Sequence, residues 1–329
     1  MKRRQIGKTA LEVTEISLGG AAIGGLYRAV TRQDADETLA VAWDAGIRYF
    51  DTAPFYGFGL SERRIGDFLR DQPRETYVLS TKVGRLLRPV PEDQVPDHGY
   101  VEPLPFTVDY DYTYDGIMRS VEFSLARLGL NRIDVAFVHD IGAYTHGAEA
   151  NRKHQRDLLK TGLKALDKLK SEGTISAYGL GVNEVQVCLD VLARAPLDCI
   201  LLAGRYTLLD RAAAATLLPL CAEVGTSLVI GGVFHSGILA TGPIAGAHFD
   251  YGPADENILH RVDKLESIAK DAGVTLAAAA LRFPLRHPAV ATVLIGTAKP
   301  SSLRRNLDLL GAEIPEHVWS RFDEAAINL

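Results

Sequence analysis

Eight short apolar runs, each separated from the next by a longer stretch, constrain this 329-residue chain more than any other feature. They occupy residues 16–18, 49–50, 78–80, 135–138, 178–181, 200–202, 228–230 and 293–295. Runs this short read as buried strands. Between most of them, apolar residues recur at the helical period. Residues 34–45 align Ala35, Leu39, Ala42 and Trp43; residues 117–128 align Ile117, Val121, Leu125 and Leu128. Residues 158–170 align Leu158, Leu159, Leu163, Leu166 and Leu169, residues 213–224 and 259–272 behave likewise, and 303–310 follows the last run. Strands alternating with helices pair in parallel, because a parallel neighbour needs a crossover long enough to hold a helix. Eight such units predict an α/β chain closed into a (β/α)8 TIM barrel, a single domain over 1–329. The competing open sheet would carry a G-x-G-x-x-G turn opening a helix after its first strand. Here Leu18 is followed by Gly19, Gly20, Gly24 and Gly25 without that spacing.

Two segments exceed the minimal repeat. Residues 86–115 are rich in Pro and Tyr, and 234–256 in Gly and Ala. Both follow strands, on the face where barrel sites are built, so they are expected to be long βα loops around a pocket. Pro315 before the amphipathic stretch 316–326 suits a helix start, predicting an extra C-terminal helix.

With 41 acidic and 36 basic residues the formal charge is −5, which offers no field for nucleic acid or an anionic membrane. No apolar run is long enough to span a bilayer, and the basic first residues precede no apolar segment that would make them a secretory signal. Cys188, Cys199 and Cys221 have neither disulfide-framework nor metal-knuckle spacing, so they are expected to be reduced and buried, in a cytoplasmic protein without a metal.

The chemistry-bearing residues cluster at strand ends. Asp51 closes the second run and Tyr56 lies five residues on; Lys82 follows the third run and His139 the fourth. Each alone has a structural explanation: a turn cap, a packed ring, a solvated charge, a core histidine. Together they point at one barrel mouth. A phenol is a poor acid near neutrality, and a neighbouring ammonium makes its proton more labile. Lys82 can supply that ammonium, Asp51 can hold Lys82, and His139 can orient a carbonyl oxygen. Tyr56 would then exchange a proton as hydride moves at carbon.

Residues 46–57 with Ser61, Glu62, Arg63, Arg64, Ile65 and Gly66, residues 128–139, and residues 294–300 through Asn306 resemble the three signatures of the aldo-keto reductase superfamily. The likeness runs over essentially the whole chain and implies that Asp51, Tyr56, Lys82 and His139 are the catalytic tetrad. It also implies a nicotinamide cofactor, NADP or NAD. Gly20, Ala21 and Asp51 would meet it, Asn183 would hold the nicotinamide amide, and Tyr206 would stand near the ring. Gly232, Val233, Phe234, Ser236, Gly237 and Leu239 would border the pyrophosphate. Gly296, Thr297, Lys299, Ser302, Arg305 and Asn306 would hold the adenosine half near a helix N-terminus.

The chain departs from the family at Ala203, where Gln is usual, and at Gly231, where a ring is usual. Arg305 stands where Glu often does, and Gly296 and Ser302 stand where cations for a 2′-phosphate often lie, which favours NAD. Lys299, Arg304 and Arg305 can receive that phosphate, which keeps NADP.

Residues 55–62, 139–142, 202–210 and 231–239 resemble the branch of aldose 1-dehydrogenases and pyridoxal 4-dehydrogenase. The expected activity is oxidation of an aldose such as L-fucose, or of the pyridoxal hemiacetal, to a lactone, with Phe106, Tyr110, Tyr112 and Tyr114 as a ring-binding lid. The alternatives are an NADPH-dependent aldehyde reductase and a nicotinamide-binding regulatory subunit. The partner is a small molecule; oligomeric state is left open.

Overall fold

The computed structural model describes residues 1–250 and 252–327. Eight parallel strands close a barrel: β1 (Ile16–Gly19), β2 (Tyr49–Asp51), β3 (Val78–Val83), β4 (Val135–His139), β5 (Ala177–Val182), β6 (Cys199–Ala203), β7 (Ser227–Gly231) and β8 (Val290–Gly296). Each pairs with its successor, and β8 returns to β1 with Val293 opposite Ile16. All eight expected runs lie inside these strands, which extend them by a residue or more.

Two apolar clusters explain why the sheet closes. Tyr49, Val78, Val135, Phe137, Ala177, Cys199, Leu201, Val229 and Ala291 fill the lumen. Phe50, Leu79, Ala136, Val138, Leu180, Ile200, Leu202, Leu228 and Ile230 face the helices. Side chains alternate along a strand, so each of these runs supplies both cores and is apolar throughout. Ile6 and Val13, at an antiparallel hairpin of Arg3–Gln5 and Glu12–Thr14, pack into the lumen cluster and seal its floor. The sequence did not announce this hairpin, whose strands are three residues each.

The outer layer contains α1 (Arg32–Asp44), α2 (Leu60–Leu69), α3 (Tyr114–Leu128), α4 (Ala143–Asp157), α5 (Leu163–Ser171), α6 (Val185–Leu192), α7 (Leu217–Val224), α8 (Ile238–Thr241), α9 (Glu256–Asp271), α10 (Leu276–Arg282), α11 (Pro300–Asp308) and α12 (Glu316–Ile327). Thr31 Oγ accepts the Asp34 N–H at 3.0 Å and starts α1, and Asp255 does the same for Ile258 at 2.8 Å in α9. Gly129, at φ +64°, stops α3 in the left-handed conformation that lets a helix terminate.

Several boundaries differ from the sequence reading. The 213–224 stretch becomes helical only at Leu217, because the Ala213 N–H bonds the Arg205 carbonyl in a turn. The 158–170 stretch begins as a π-helical turn over Leu158–Gly162 before α5. The expected C-terminal helix is α12, whose Phe322 and Trp319 pack in the outer layer beside Phe283.

The 86–115 segment is built on a hairpin of Arg85–Pro89 and Phe106–Tyr110. In 234–256 the backbone forms α8 and a two-residue hairpin of His248–Phe249 with Gly252–Pro253; Tyr251 lies outside the described residues.

Candidate active site

Strand parity aims the tetrad. Tyr49 points into the lumen, so Asp51 does; Val78 does, so Ser80 and Lys82 do; Phe137 does, so His139 does. Gly181, opposite His139 in register, leaves room: a β-carbon there would lie 3.2 Å from Phe137 Cβ and 3.5 Å from Lys82 Cε.

Lys82 Nζ donates to Asp51 Oδ2 at 2.7 Å and to the Thr52 carbonyl at 3.0 Å. Ser80 Oγ donates to Asp51 Oδ1 at 2.7 Å, and the Tyr49 hydroxyl donates to Ser80 Oγ at 2.9 Å. Lys82 is 2 % exposed and Asp51 1 %, so the pair is an ammonium–carboxylate couple removed from water. Burial pushes the Lys82 pKa down and the Asp51 pKa up, each disfavouring charge; their mutual attraction opposes both shifts.

Tyr56 leaves β2 on a turn in which its own N–H bonds the Ala53 carbonyl. Its ring centre lies 4.4 Å from Lys82 Nζ. The His139 ring meets it edge to face, 5.9 Å between centres. His139 is 4 % exposed, and burial, helped by Arg85 and Lys82, holds its pKa well below the ordinary histidine value. The imidazole is therefore neutral at physiological pH and can donate or accept a hydrogen bond. The structure brings the four residues to one mouth with a phenol, an ammonium and a neutral imidazole in contact. That arrangement can exchange a proton with an oxygen on a reacting carbon.

The neighbouring residues are ones the sequence reading passed over. Phe55 meets His98, Tyr100 and His139 at 5.3, 5.6 and 6.0 Å between ring centres. Arg85 pairs with Asp140 and lays its guanidinium 4.2 Å over the Phe55 ring. Their position was the available signal: Asp140 follows His139, and Arg85 stands three residues after Lys82.

The lid aromatics divide. Tyr110, on the hairpin, is exposed, and Phe106 lies on the same strand. Tyr112 is buried, its hydroxyl donating to the His139 carbonyl at 2.8 Å, and Tyr114 begins α3 and packs against the helical core. Neither of these two is a lid residue: Tyr112 is a support beneath His139, held inside because its hydroxyl has a partner there.

The expected cofactor residues fall into three groups. Gly20 is packed under Asp51 and Ser61, where an added β-carbon would clash at 2.8 and 2.5 Å, with Ala21 beside it. Asn183 leaves β5, its carbonyl accepting from Arg205 Nε at 2.8 Å. Arg205 also binds Asp250 at 2.9 Å and Asp210 at 3.2 Å, tying the loop after β7 to the ends of β5 and β6. Tyr206 is buried with its ring 5.1 Å from Phe283 and 6.2 Å from His287, a packing role. Ala203 and Gly231 are register partners on adjacent strands. A β-carbon on Gly231 would be in ordinary contact at 3.7 Å, so the ends of β6 and β7 carry no bulky side chain at this pair.

In the turn after β7, the N–H groups of Gly237 and Leu239 both bond the Phe234 carbonyl, and Leu239 is buried. Those two amides are satisfied inside the turn. Gly232, Val233 and Ser236 remain on this turn, with Gly232 and Ser236 exposed. At the end of β8, Gly296 has nothing within 4 Å of an added β-carbon, and Thr297 Oγ accepts the Lys299 N–H at 3.1 Å. Pro300 opens α11, on which Ser302, Arg305 and Asn306 lie, and Lys299, Arg304 and Arg305 are exposed. Small residues at the ends of β6 and β7, together with exposed cations at and near the N-terminus of the nine-residue α11, are compatible with a nicotinamide ring and its adenosine half. No cluster of three or more His, Cys, Asp or Glu among the described residues could hold a metal ion. Cys188, Cys199 and Cys221 are buried free thiols. No helix among the described residues is long and apolar enough to cross a membrane.

The Aldo/keto reductase family model matches residues 15–327. A pyridoxal 4-dehydrogenase of Microbacterium luteolum is 46 % identical, the match covering 97 % of this chain and 96 % of that protein. A D-threo-aldose 1-dehydrogenase of a Pseudomonas species is 39 % identical over 96 % of this chain and 95 % of its own. Among solved structures, the holo form of an aldo-keto reductase from Bacillus halodurans superimposes with a TM-score of 0.78 at 24 % identity, covering 99 % and 96 % of the two chains.

Proposed function

The chain belongs to the aldo/keto reductase family, and on that premise we propose that it oxidises the anomeric hydroxyl of an aldose, or of the cyclic hemiacetal of pyridoxal, to a lactone. The observation that carries the chemistry is the Lys82 ammonium 4.4 Å from the centre of the Tyr56 ring, with Asp51 behind it and His139 at the ring's edge. The substrate class rests on the 46 % and 39 % identical relatives, which act on pyridoxal and on aldoses.

Bound nicotinamide supplies a hydride acceptor in oxidation and a hydride donor in reduction. Every other requirement falls to the chain. His139, neutral, hydrogen-bonds the substrate oxygen and fixes its distance from Tyr56. Tyr56, as phenolate beside Lys82, takes the hydroxyl proton while hydride leaves the same carbon, and the oxygen electron pair becomes the new C=O bond. The substrate loses one proton and one hydride, a two-electron oxidation. In reduction the phenol returns the proton. Asp51 keeps Lys82 charged and directed; the Tyr49–Ser80 relay fixes Asp51 in turn.

Asn183, Ser236, Thr297, Lys299, Ser302, Arg305 and Asn306 would hold the cofactor. The proposal covers NAD and NADP. Lys299, Arg304 and Arg305 offer charge for a 2′-phosphate, while Gly296 and Ser302 offer none. The three buried free thiols are suited to a reducing, cytoplasmic setting.

The test is a dehydrogenase assay of L-fucose, D-arabinose, L-galactose and pyridoxal against both oxidised cofactors, beside reduction of simple aldehydes with both reduced ones. Oxidation of a sugar or of pyridoxal with the higher kcat/KM is expected. Efficient reduction of simple aldehydes with no sugar or pyridoxal oxidation would replace this reading with a carbonyl reductase.

A further inference from the structure

We propose that Asp140, held by Arg85, accepts the hydroxyl on the carbon next to the reacting one and so selects hydroxylated substrates. The proposal deepens the aldose reading above and rests on it.

Asp140 is the residue after β4, one step beyond His139. Its φ of +44° is the left-handed conformation, uncommon for a residue with a side chain and tolerated best by Asp and Asn. The reversal is anchored, since the Asp140 N–H bonds the Gly181 carbonyl at 2.8 Å. It turns the carboxylate back over the mouth, bringing Oδ2 within 3.5 Å of His139 Nε2.

Arg85 reaches the same place from the exit of β3. Its guanidinium donates to Asp140 Oδ2 and covers the Phe55 ring, and it is 4 % exposed. The Asp140 side chain is 23 % exposed, so the open side of this pair is the carboxylate. Oδ2 takes the guanidinium, and Oδ1 accepts no hydrogen bond from the described residues. A carboxylate oxygen has lone pairs for more than one donor. Arg85, already paired, is the positioning residue: burial pushes the Asp140 pKa up, and the guanidinium opposes that rise while holding the carboxylate in place.

The geometry points to one substrate feature. His139 is placed to hydrogen-bond the reacting oxygen. In a cyclic aldose the neighbouring hydroxyl oxygen lies about one hydrogen-bond length from that oxygen. The Asp140 carboxylate borders His139, its Oδ2 3.5 Å from Nε2, and Oδ1 of the same group is left to accept the neighbouring hydroxyl. A simple aldehyde has nothing to offer Oδ1, so its entry displaces water from that oxygen without replacing the hydrogen bond.

The experiment compares kcat/KM for D-arabinose with that for 2-deoxy-D-ribose, its counterpart without the C2 hydroxyl, in the holoenzyme. A hydrogen bond to a charged group predicts a preference of about 10- to 100-fold in the wild type. In Asp140→Gly, which suits the positive φ, the ratio is expected to fall to about twofold or less; Asp140→Asn should be intermediate. Arg85→Lys should retain part of the preference, with the lost part appearing as a higher KM for D-arabinose, a signature that a merely structural role would not give. If Asp140→Gly does not fold because Arg85 is left unpaired, the double variant Arg85→Met, Asp140→Gly removes both charges and decides the question by the same ratio.

A wild-type ratio near one, or a ratio in Asp140→Gly equal to the wild type, overturns the proposal. Should the wild type oxidise neither sugar while reducing aldehydes, the aldose reading fails by itself. The ratio of glyceraldehyde to propionaldehyde reduction, in the same variants and with the same two outcomes, then decides the role of Asp140. No turnover with either pair overturns both.

Discussion

Gly181 and Lys82 share the lumen of the barrel so closely that a β-carbon on Gly181 would sit 3.5 Å from Lys82 Cε and 3.2 Å from Phe137 Cβ. The second distance is the tight one and the first is ordinary van der Waals contact, so the glycine makes room for Phe137, the register partner of Lys82. Gly181→Ala is predicted to displace Phe137 by a few tenths of an ångström and, through this neighbour of Lys82, to lower kcat about tenfold. Steady-state rates together with a thermal melt check this; a lower Tm with unchanged kcat would separate packing from catalysis.

The Asp51–Lys82 couple makes a double-mutant prediction. Lys82→Met leaves a buried carboxylate without its partner and should cost about 3–5 kcal/mol of stability. Adding Asp51→Asn removes the stranded charge and should recover most of that loss while activity stays absent. Urea unfolding of the single and double variants measures the difference. Equal stability of the two would show that the pair is not electrostatically coupled.

Much of this couple was legible in the sequence. Asp51, Lys82 and His139 each close an apolar run, and strand parity carries their side chains into the lumen. Arg85 and Asp140 were not legible, because a charge beginning a hairpin and a charge after a histidine look alike whether solvated or buried. Only the fold shows Arg85 to be 4 % exposed. α4 escaped notice for the opposite reason: Asn151 is its one buried side chain, so it carries no apolar stripe. Tyr112 read as a lid ring because its neighbours are loop-like, and its hydroxyl bond to the His139 carbonyl is a contact 27 residues away.

Acid should destabilise the fold through His235. The ring is buried against Phe249, 4.6 Å between centres, and burial lowers its pKa from 6.5 to about 4. The unfolded chain therefore binds a proton more readily than the folded one. The contribution is complete above pH 6.5 and is lost as pH falls toward about 4. Between pH 6.5 and 5 this single group should remove about 2 kcal/mol. Chemical denaturation of wild type and His235→Asn across that range tests it: the variant should show the shallower decline, and parallel curves would exclude His235 as a source.

Asn183, at the exit of β5, is predicted to hold the nicotinamide amide. Asn183→Ala should weaken cofactor binding about tenfold, as the loss of a hydrogen bond in a closed site does. Quenching of intrinsic fluorescence by NAD(H) and NADP(H) gives the dissociation constants. Unchanged affinity for both would move the amide to other residues.

The central claim is that the Tyr56 phenol, beside the Lys82 ammonium, carries the proton of the reaction. The most direct measurement is single-turnover hydride transfer, followed by nicotinamide absorbance, in Tyr56→Phe loaded with cofactor. Removing a general acid–base group should slow the step by about 100- to 10,000-fold while cofactor affinity stays near that of the wild type. Transfer at a rate close to the wild type would contradict the account and assign the proton to another group.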